Sequence, residues 1–230
     1  MALFDVKAET YDDFCATPLG MFVYQKEREL IRELARPLPN ESAIDLGCGT
    51  GAYSAWLHDL GLSVTGVDIS GKMLDVARRK QQGEVTFVQT DLSQLPFGAD
   101  AFDLVLCNVT LEFVSDPACV LREAFRVLKP GGRLVVGLIG KQSPWAQKYA
   151  EKGKENATSV YRHAHFFSFE EIRQLSDLGI PDEARFALYV SPDEFQDQRS
   201  AQALEKQRRV TQSEIGAGFM ALRWSELPRN

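Results

Sequence analysis

The 230-residue chain predicts an α/β protein built on a largely parallel sheet. Short apolar runs alternate with helix-period segments between residues 43 and 139, and strands alternating with helices imply a sheet covered on both sides. Residues 102–107 form a nearly continuous apolar run, the mark of a strand buried on both faces. A glycine-rich turn, Gly47 to Gly51, joins the first of these runs to its helix.

Each element has its own signal. An opening helix is expected over residues 19–36, with Phe22, Val23, Leu30, Ile31 and Leu34 on one face; Pro37 and Pro39 end it. Residues 43–46 form the first strand, and 52–60 a helix through Tyr53, Trp56, Leu57 and Leu60. Residues 62–67 make the second strand, Met73, Leu74 and Ala77 mark the next helix, and 85–89 and 102–107 are strands three and four. Val120, Leu121, Ala124, Phe125 and Leu128 define a helical face stopped by Pro130-Gly131-Gly132, and 133–139 is strand five. Ser168-Phe169-Glu170-Glu171 reads as a capping box opening a short helix through Ile172 and Leu175. Residues 185–190 and 219–224 read as two late strands, with a helix or surface loop over 191–216 between them.

Composition narrows the class. With 44% hydrophobic and 25% charged residues the chain can bury a proper core, which excludes disorder and low-complexity scaffolds. The longest apolar stretches, such as 134–140, fall far short of a bilayer span, and the acidic start lacks the apolar core of a secretory signal. A net charge of −6 argues against a general nucleic-acid binder. Cys15, Cys48, Cys107 and Cys119 are scattered without a CxxC pair, so neither a disulfide framework nor a metal site is expected. These features suggest a cytoplasmic protein of one domain, 1–230, with no linker dividing it.

The chemistry concentrates in Asp45-Leu46-Gly47-Cys48-Gly49-Thr50-Gly51, between strand one and its helix. Glycines there let the backbone approach a ligand, and the helix N-terminus points N–H groups at it. Asp68 ends strand two, 21 residues after Gly47, where a carboxylate can accept from ribose hydroxyls. Ile69 and Met73 can wall an adenine, and Asp91 can accept from its amino group. A dinucleotide turn reads GxGxxG and cradles a pyrophosphate, whereas the glycines here stand at 47, 49 and 51 with Asp45 just before them. A carboxylate in that place suits an amine or sulfonium, which favours S-adenosylmethionine (SAM) over NAD.

The segments AIDLGCGTGAYS (43–54), VTGVDISGKMLDVAR (64–78), VQTDLSQLPF (88–97), FDLVLCNVTLEFV (102–114) and REAFRVLKPGGRLVVG (122–137) resemble, in order and spacing, the class I SAM-dependent methyltransferases. The likeness covers about half the chain and points to the small-molecule branch that includes ubiquinone and menaquinone biosynthesis; YDDFCATPLG (11–20) resembles that family's N-terminal helix and lid. The resemblance implies a Rossmann-like, seven-stranded, mostly parallel sheet with helices on both faces and the last strand antiparallel. It implies that Gly47 and Gly49 lie against the methionine part of SAM and that Asp45 orients the loop and the ligand amine. Asp68 would take the ribose hydroxyls, and Ile69 and Met73 would sandwich the adenine. Asp91 would take its exocyclic amine, the Leu92 N–H its ring nitrogen, and the Asn108 carbonyl would lie near the SAM amine. Residues 1–36 would form a helical lid, with 141–167 and 191–216 as substrate-side or surface insertions.

Methyl transfer to a small-molecule acceptor needs alignment more than covalent catalysis, and a base only where the acceptor must lose a proton. His163, His165, Glu112 and Tyr11 are candidates for such a role, with a helix-start acid as the plain alternative for Glu112. His163 and His165 lack a visible third ligand for a metal, and Cys48 lacks a basic partner and reads as a packed residue. The stretch 141–162 carries a local excess of three positive charges, read as a solvated lid surface or, more sharply, as a preference for an anionic acceptor. Two rival readings are a SAM- or SAH-binding protein without transfer activity, and an NAD-dependent oxidoreductase. The glycine spacing and the lack of a Tyr-x-x-x-Lys pair disfavour the latter.

Overall fold

The structure is a computed structural model and describes residues 2–175, 179–211 and 214–225. Seven strands, β1 (Ser42–Leu46), β2 (Ser63–Asp68), β3 (Thr86–Gln89), β4 (Phe102–Asn108), β5 (Leu128–Ile139), β6 (Glu183–Ala187) and β7 (Phe219–Ser225), form one sheet in the order β3-β2-β1-β4-β5-β7-β6. β1 to β5 pair in parallel, and β7 runs antiparallel to both β5 and β6. The strand order reverses between β1 and β4, so a crevice opens beyond their carboxyl ends, where open α/β sheets bind ligands.

Helices α1 (Pro18–Ala35), α2 (Ala52–Asp59), α3 (Gly71–Gln81), α4 (Pro117–Arg126), α5 (Pro144–Glu155), α6 (Phe169–Gln174) and α7 (Gln198–Thr211) surround the sheet. The continuous apolar run of β4 serves two cores. Leu104 and Leu106 pack with Phe22, Leu30, Ile31, Leu34 and Leu57, while Val105 and Cys107 pack with Val120, Leu121 and Ala124 on the other face. α1 starts as its sequence predicts, with Thr17 Oγ1 accepting from the Gly20 N–H and Pro18 in the first turn. It ends at Arg36 in the left-handed region, φ 44°. The capping box is formed: Ser168 Oγ accepts from Glu171 N–H at 3.2 Å and Glu171 Oε2 from Ser168 N–H at 2.7 Å.

The structure departs from the sequence expectations in two places. Pro130-Gly131-Gly132 does not separate helix from strand: α4 stops at Arg126, and β5 begins at Leu128. Pairing then jumps from Phe102↔Leu128 to Leu104↔Arg133, absorbing the glycines as a bulge. β6 lies at 183–187 rather than 185–190, because Leu188 turns left-handed (φ 63°) and leaves the ladder. Its N–H donates to Glu205 Oε1 at 2.6 Å, and Val190 N–H donates to Glu205 Oε2 at 3.1 Å. Glu205 is 2% exposed and comes from α7, which occupies much of the 191–216 stretch and packs on α1, with Gln202 donating to Gln25 and Arg209 paired with Glu33. Glu205→Ala strands two buried N–H groups, so we expect about 2–4 kcal/mol of lost stability in denaturant melts; a loss below about 0.5 kcal/mol, the size of an ordinary surface change, contradicts this role.

Among the described residues no helix is long and apolar enough to cross a membrane.

Candidate active site

The first βα turn follows β1. Gly47, Gly49 and Gly51 all have positive φ, 71°, 54° and 79°, which only glycine adopts without strain. Gly47 is also sterically required: a Cβ there would lie 2.4 Å from Thr110 Cγ2. Gly47→Ala should therefore distort the turn and weaken adenosyl-ligand binding severely, and an isothermal titration that matches wild type contradicts this. Gly49 faces open space, with nothing within 4 Å of its notional Cβ. Beneath it Asp68 ties the turn to β2: Oδ2 accepts from Gly49 N–H at 2.9 Å and Oδ1 from Ser70 N–H at 2.8 Å. Burial raises the Asp68 carboxyl above its usual value, offset in part by these N–H groups.

A cleft of about 300 Å³ opens over this turn. It is lined by the expected Gly47, Gly49, Asp68, Ile69, Met73, Asp91 and Leu92. Ile69 is 55% exposed, an apolar wall in search of a partner, whereas Met73 is buried in its helix and shows the cleft only one edge. Asp91 Oδ1 accepts from Ser93 N–H and Oγ, which holds its carboxyl below the usual range. Among the described lining residues there is no Lys or Arg, while Asp68 and Asp91 both face in. That polarity fits an adenosine carrying an amine and a sulfonium, and opposes a pyrophosphate.

Two expected contacts stand apart from the cleft wall. Asp45 is 2% exposed, its Oδ2 accepts from Ser54 Oγ at 2.6 Å, and burial pushes its carboxyl up to about 7. It braces the turn against α2 and is not among the described lining residues. The Asn108 carbonyl accepts from Thr110 Oγ1 at 3.0 Å, and the lining passes instead to Val109 and Thr110. Cys48 is buried, which pushes its thiol well up and leaves it a packing residue. Asp103 pairs with Lys129 at 2.8 Å and with Ser42, far from any chemistry.

The N-terminal segment, whose lining role the sequence suggested only by resemblance, covers the cleft. A 3₁₀ helix over Asp5–Asp13 docks on α3 and the glycine turn. Ser70 Oγ donates to Asp5, Thr50 Oγ1 to Asp12, and Arg79 and Lys80 pair with Glu9 and Asp12. Phe4 and Tyr11 thereby line the cleft, with Phe4 edge-on to Phe113 at 4.9 Å.

Of the four candidates for a base, Tyr11 lines the cleft, and Glu112 lies on the short 3₁₀ helix Leu111–Phe113 beside it. Glu112 is 1% exposed; its Oε1 accepts from Ile139 N–H at 2.8 Å, and burial pushes its carboxyl up to about 8. His163 and His165 are exposed and outside the cleft lining. Within 141–162, Lys141 pairs with Glu171 and Lys148 with Asp193 at the surface, while Lys152 lies over the Tyr161 ring at 5.8 Å.

Sequence reasoning missed Glu27. It sits on α1 between Val23 and Leu30, and its carboxylate accepts from Tyr53 Oη. A charged residue on the buried face of an amphipathic helix was the signal available. Burial pushes that carboxyl up to about 7.

Residues 44–136 match the family model of a methyltransferase domain. An uncharacterized protein of Methanocaldococcus jannaschii is 32% identical over 180 residues, 78% of this chain and 81% of its own length. A demethylmenaquinone methyltransferase of Renibacterium salmoninarum is also 32% identical, over 76% of this chain and 77% of its own. Among solved structures, a SAM-dependent methyltransferase of Thermotoga maritima, described as a possible histamine N-methyltransferase, superposes with a TM-score of 0.76 at 25% identity, covering 97% of this chain and 98% of that one. The fold, the motifs and these relatives define a class I SAM-dependent methyltransferase of small-molecule type. The chain belongs to that family.

Proposed function

We propose that the chain binds SAM in the cleft at the carboxyl ends of β1, β2 and β4 and moves its methyl group to a small-molecule acceptor by in-line displacement. The observation that carries the cofactor assignment is the open Gly49 face above a fixed Asp68, in a cleft whose described lining lacks basic residues. Bound SAM supplies a sulfonium methyl group as the electrophile. Each oxygen of Asp68 already takes one backbone N–H and retains a lone pair for a ribose hydroxyl. Ile69 and Met73 flank the adenine, Asp91 and the Leu92 N–H read its edge, and Gly47, Gly49 and Thr110 border the methionine part, in place of the Asn108 carbonyl. Asp45 serves from beneath, by holding the turn.

Within residues 1–36 the lid is the part ahead of α1, because Phe4 and Tyr11 line the cleft and ion pairs at Glu9 and Asp12 help hold that segment, whereas α1 is buried in the core. Residues 141–167 flank the acceptor side and 191–216 the outer surface. A cytoplasmic site of action accords with four free cysteines. The relatives' names point to different acceptors, a demethylmenaquinone in one and, as a possible function, histamine in another, so the acceptor must be read from this chain's residues.

Isothermal titration with SAM, SAH and NAD tests the cofactor assignment. Micromolar binding of SAM and SAH with no NAD response is expected. Binding of NAD with none of SAM or SAH overturns it.

A further inference from the structure

A second cavity lies apart from the cofactor cleft, between α1 and α7 at the end of β6. It encloses about 420 Å³, and none of its described lining residues lines the cleft. That volume is within the range of small-molecule sites. Its wall on α7 belongs to the 191–216 stretch, to which methyl transfer assigns no chemistry. Gln202, Glu205, Lys206, Arg209 and Val210 line the cavity from α7, and their spacing of three and four residues makes them one face of the helix. Ala201 and Leu204 pack into the core instead. A helix stripe whose task is packing is apolar. This one carries two cations and an amide.

The hydrogen-bonding balance of the cavity is one-sided. Each side-chain oxygen of Gln25, Glu29 and Glu205 already accepts a hydrogen bond. Gln25 accepts from Gln202, Glu29 from Gln25 and Lys26, and Glu205 from the Leu188 and Val190 N–H groups. The donors are not matched in the same way. Among the described residues Lys206 has no counter-ion and no hydrogen-bond partner. Arg209 reaches Glu33 at 3.2 Å through Nη2, and shares that carboxylate with Arg185 at 3.7 Å. An ammonium carries three N–H groups and a guanidinium five, so most donors of Lys206 and Arg209 remain for a ligand. The charges agree. Lys26 is balanced by Glu29 at 2.7 Å, one Glu33 serves two guanidiniums, and burial raises the Glu205 carboxyl, which lessens the repulsion it offers an anion.

We propose that the cavity between α1 and α7 binds a small organic anion, whose phosphate or carboxylate group takes the free donors of Lys206 and Arg209. The planar fork of Arg209 and the point charge of Lys206 suit such an oxyanion. The cavity is larger than a bare inorganic ion fills, and Ala187 and Val210 give the organic part an apolar wall. Val210 is 84% exposed, so that wall is open to a ligand. This site does not depend on the cofactor assignment.

Isothermal titration of the full chain provides the test, with 3-phosphoglycerate, glycerol 3-phosphate and glutarate against glycerol and putrescine as neutral and cationic controls. We expect sub-millimolar binding of at least one anion and of neither control. Binding of glycerol 3-phosphate without glutarate supports a phosphate as the recognised group, and the reverse supports a carboxylate. Lys206→Met removes an exposed ammonium that holds no other residue, so the fold should be kept and the affinity for the anion should fall by about tenfold. Should that variant fail to fold, Arg209→Met takes its place with the same expectation. The anion should also stay bound at saturating SAH. The proposal is overturned if no anion binds at millimolar concentration, if glycerol or putrescine binds as tightly, if the Met variant binds the anion like wild type, or if SAH displaces it, which puts the anion in the cleft. A wild type that binds the anion and not SAH is a different result: it removes the cofactor assignment and leaves this site standing.

Discussion

Asp68→Ala is expected to reduce SAH affinity by at least thirtyfold, on the order of 2 kcal/mol or more, while leaving the protein folded. Two effects add. The substitution removes the acceptors for the ribose hydroxyls. It also frees the Gly49 and Ser70 N–H groups that now fix the turn and the start of α3, so the ligand must order a looser loop. Asp68→Asn separates the two effects: its single carbonyl oxygen can still hold one of those N–H groups, and its affinity should fall between wild type and alanine. Thermal melts establish the fold, and titration with SAH reads the affinity. An Asp68→Ala protein that melts like wild type and binds SAH undiminished contradicts the assignment.

The second large effect is on stability against pH. Glu112 and Asp45 are buried, with carboxyl groups pushed up to about 8 and about 7. Their folded values lie above their unfolded ones, so the folded state keeps protons that the unfolded state releases. Their contribution is full below the unfolded values near 4 and is lost as pH rises through 7 and 8. Asp103, Glu171 and Glu194 are held down to about 2 by Lys129, Lys141 and Arg208 and their hydrogen bonds; these act in the opposite sense, but only below about pH 4. The melting temperature should therefore fall by several degrees, roughly 5–10 °C, between about pH 5 and about pH 8.5. Glu112→Gln should flatten that slope, since the amide has no proton to lose. A melting temperature that is level or rising across this range contradicts the burial of these carboxyl groups.

The regular part of the fold was legible because its residues obey one period at a time. β1 to β4 read as short apolar runs, and α1 showed its face through Phe22, Leu30, Ile31 and Leu34. Sequence patterns lost the elements whose ends are set by distant partners. β6 stops at Ala187 because Leu188 and Val190 turn their N–H groups to Glu205 on a helix seventeen and fifteen residues on, and no local signal announces that. Pro130-Gly131-Gly132 looks like a boundary, yet it lies inside β5 because β4 accommodates the bulge.

The cofactor side was legible for a related reason. Gly47, Gly49, Asp68 and Asp91 follow strand ends, so their spacing along the chain becomes spacing along one edge of the sheet. Tyr11 and Glu112 were legible as chemically apt residues, but they come from separate segments, and nothing in the order of residues says that of the two Tyr11 is the one that lines the cleft. Glu27, which was missed, carried a local clue of its own, as an acid on the inner face of α1. His163 and His165, which looked chemically apt, face outward because the backbone there is drawn in by His165 N–H donating to the Glu112 carbonyl at 2.7 Å while Phe167 fills the core.

The central claim is that the cleft over Gly49 holds the adenosyl ligand with Asp68 on its ribose. A crystal structure of the protein with SAH tests it most directly. The ribose hydroxyls are expected on Asp68, the adenine between Ile69 and Met73, and the sulfur turned toward Tyr11 and Phe113. Clear density for SAH at any other place, or a ribose without contact to Asp68, would contradict it.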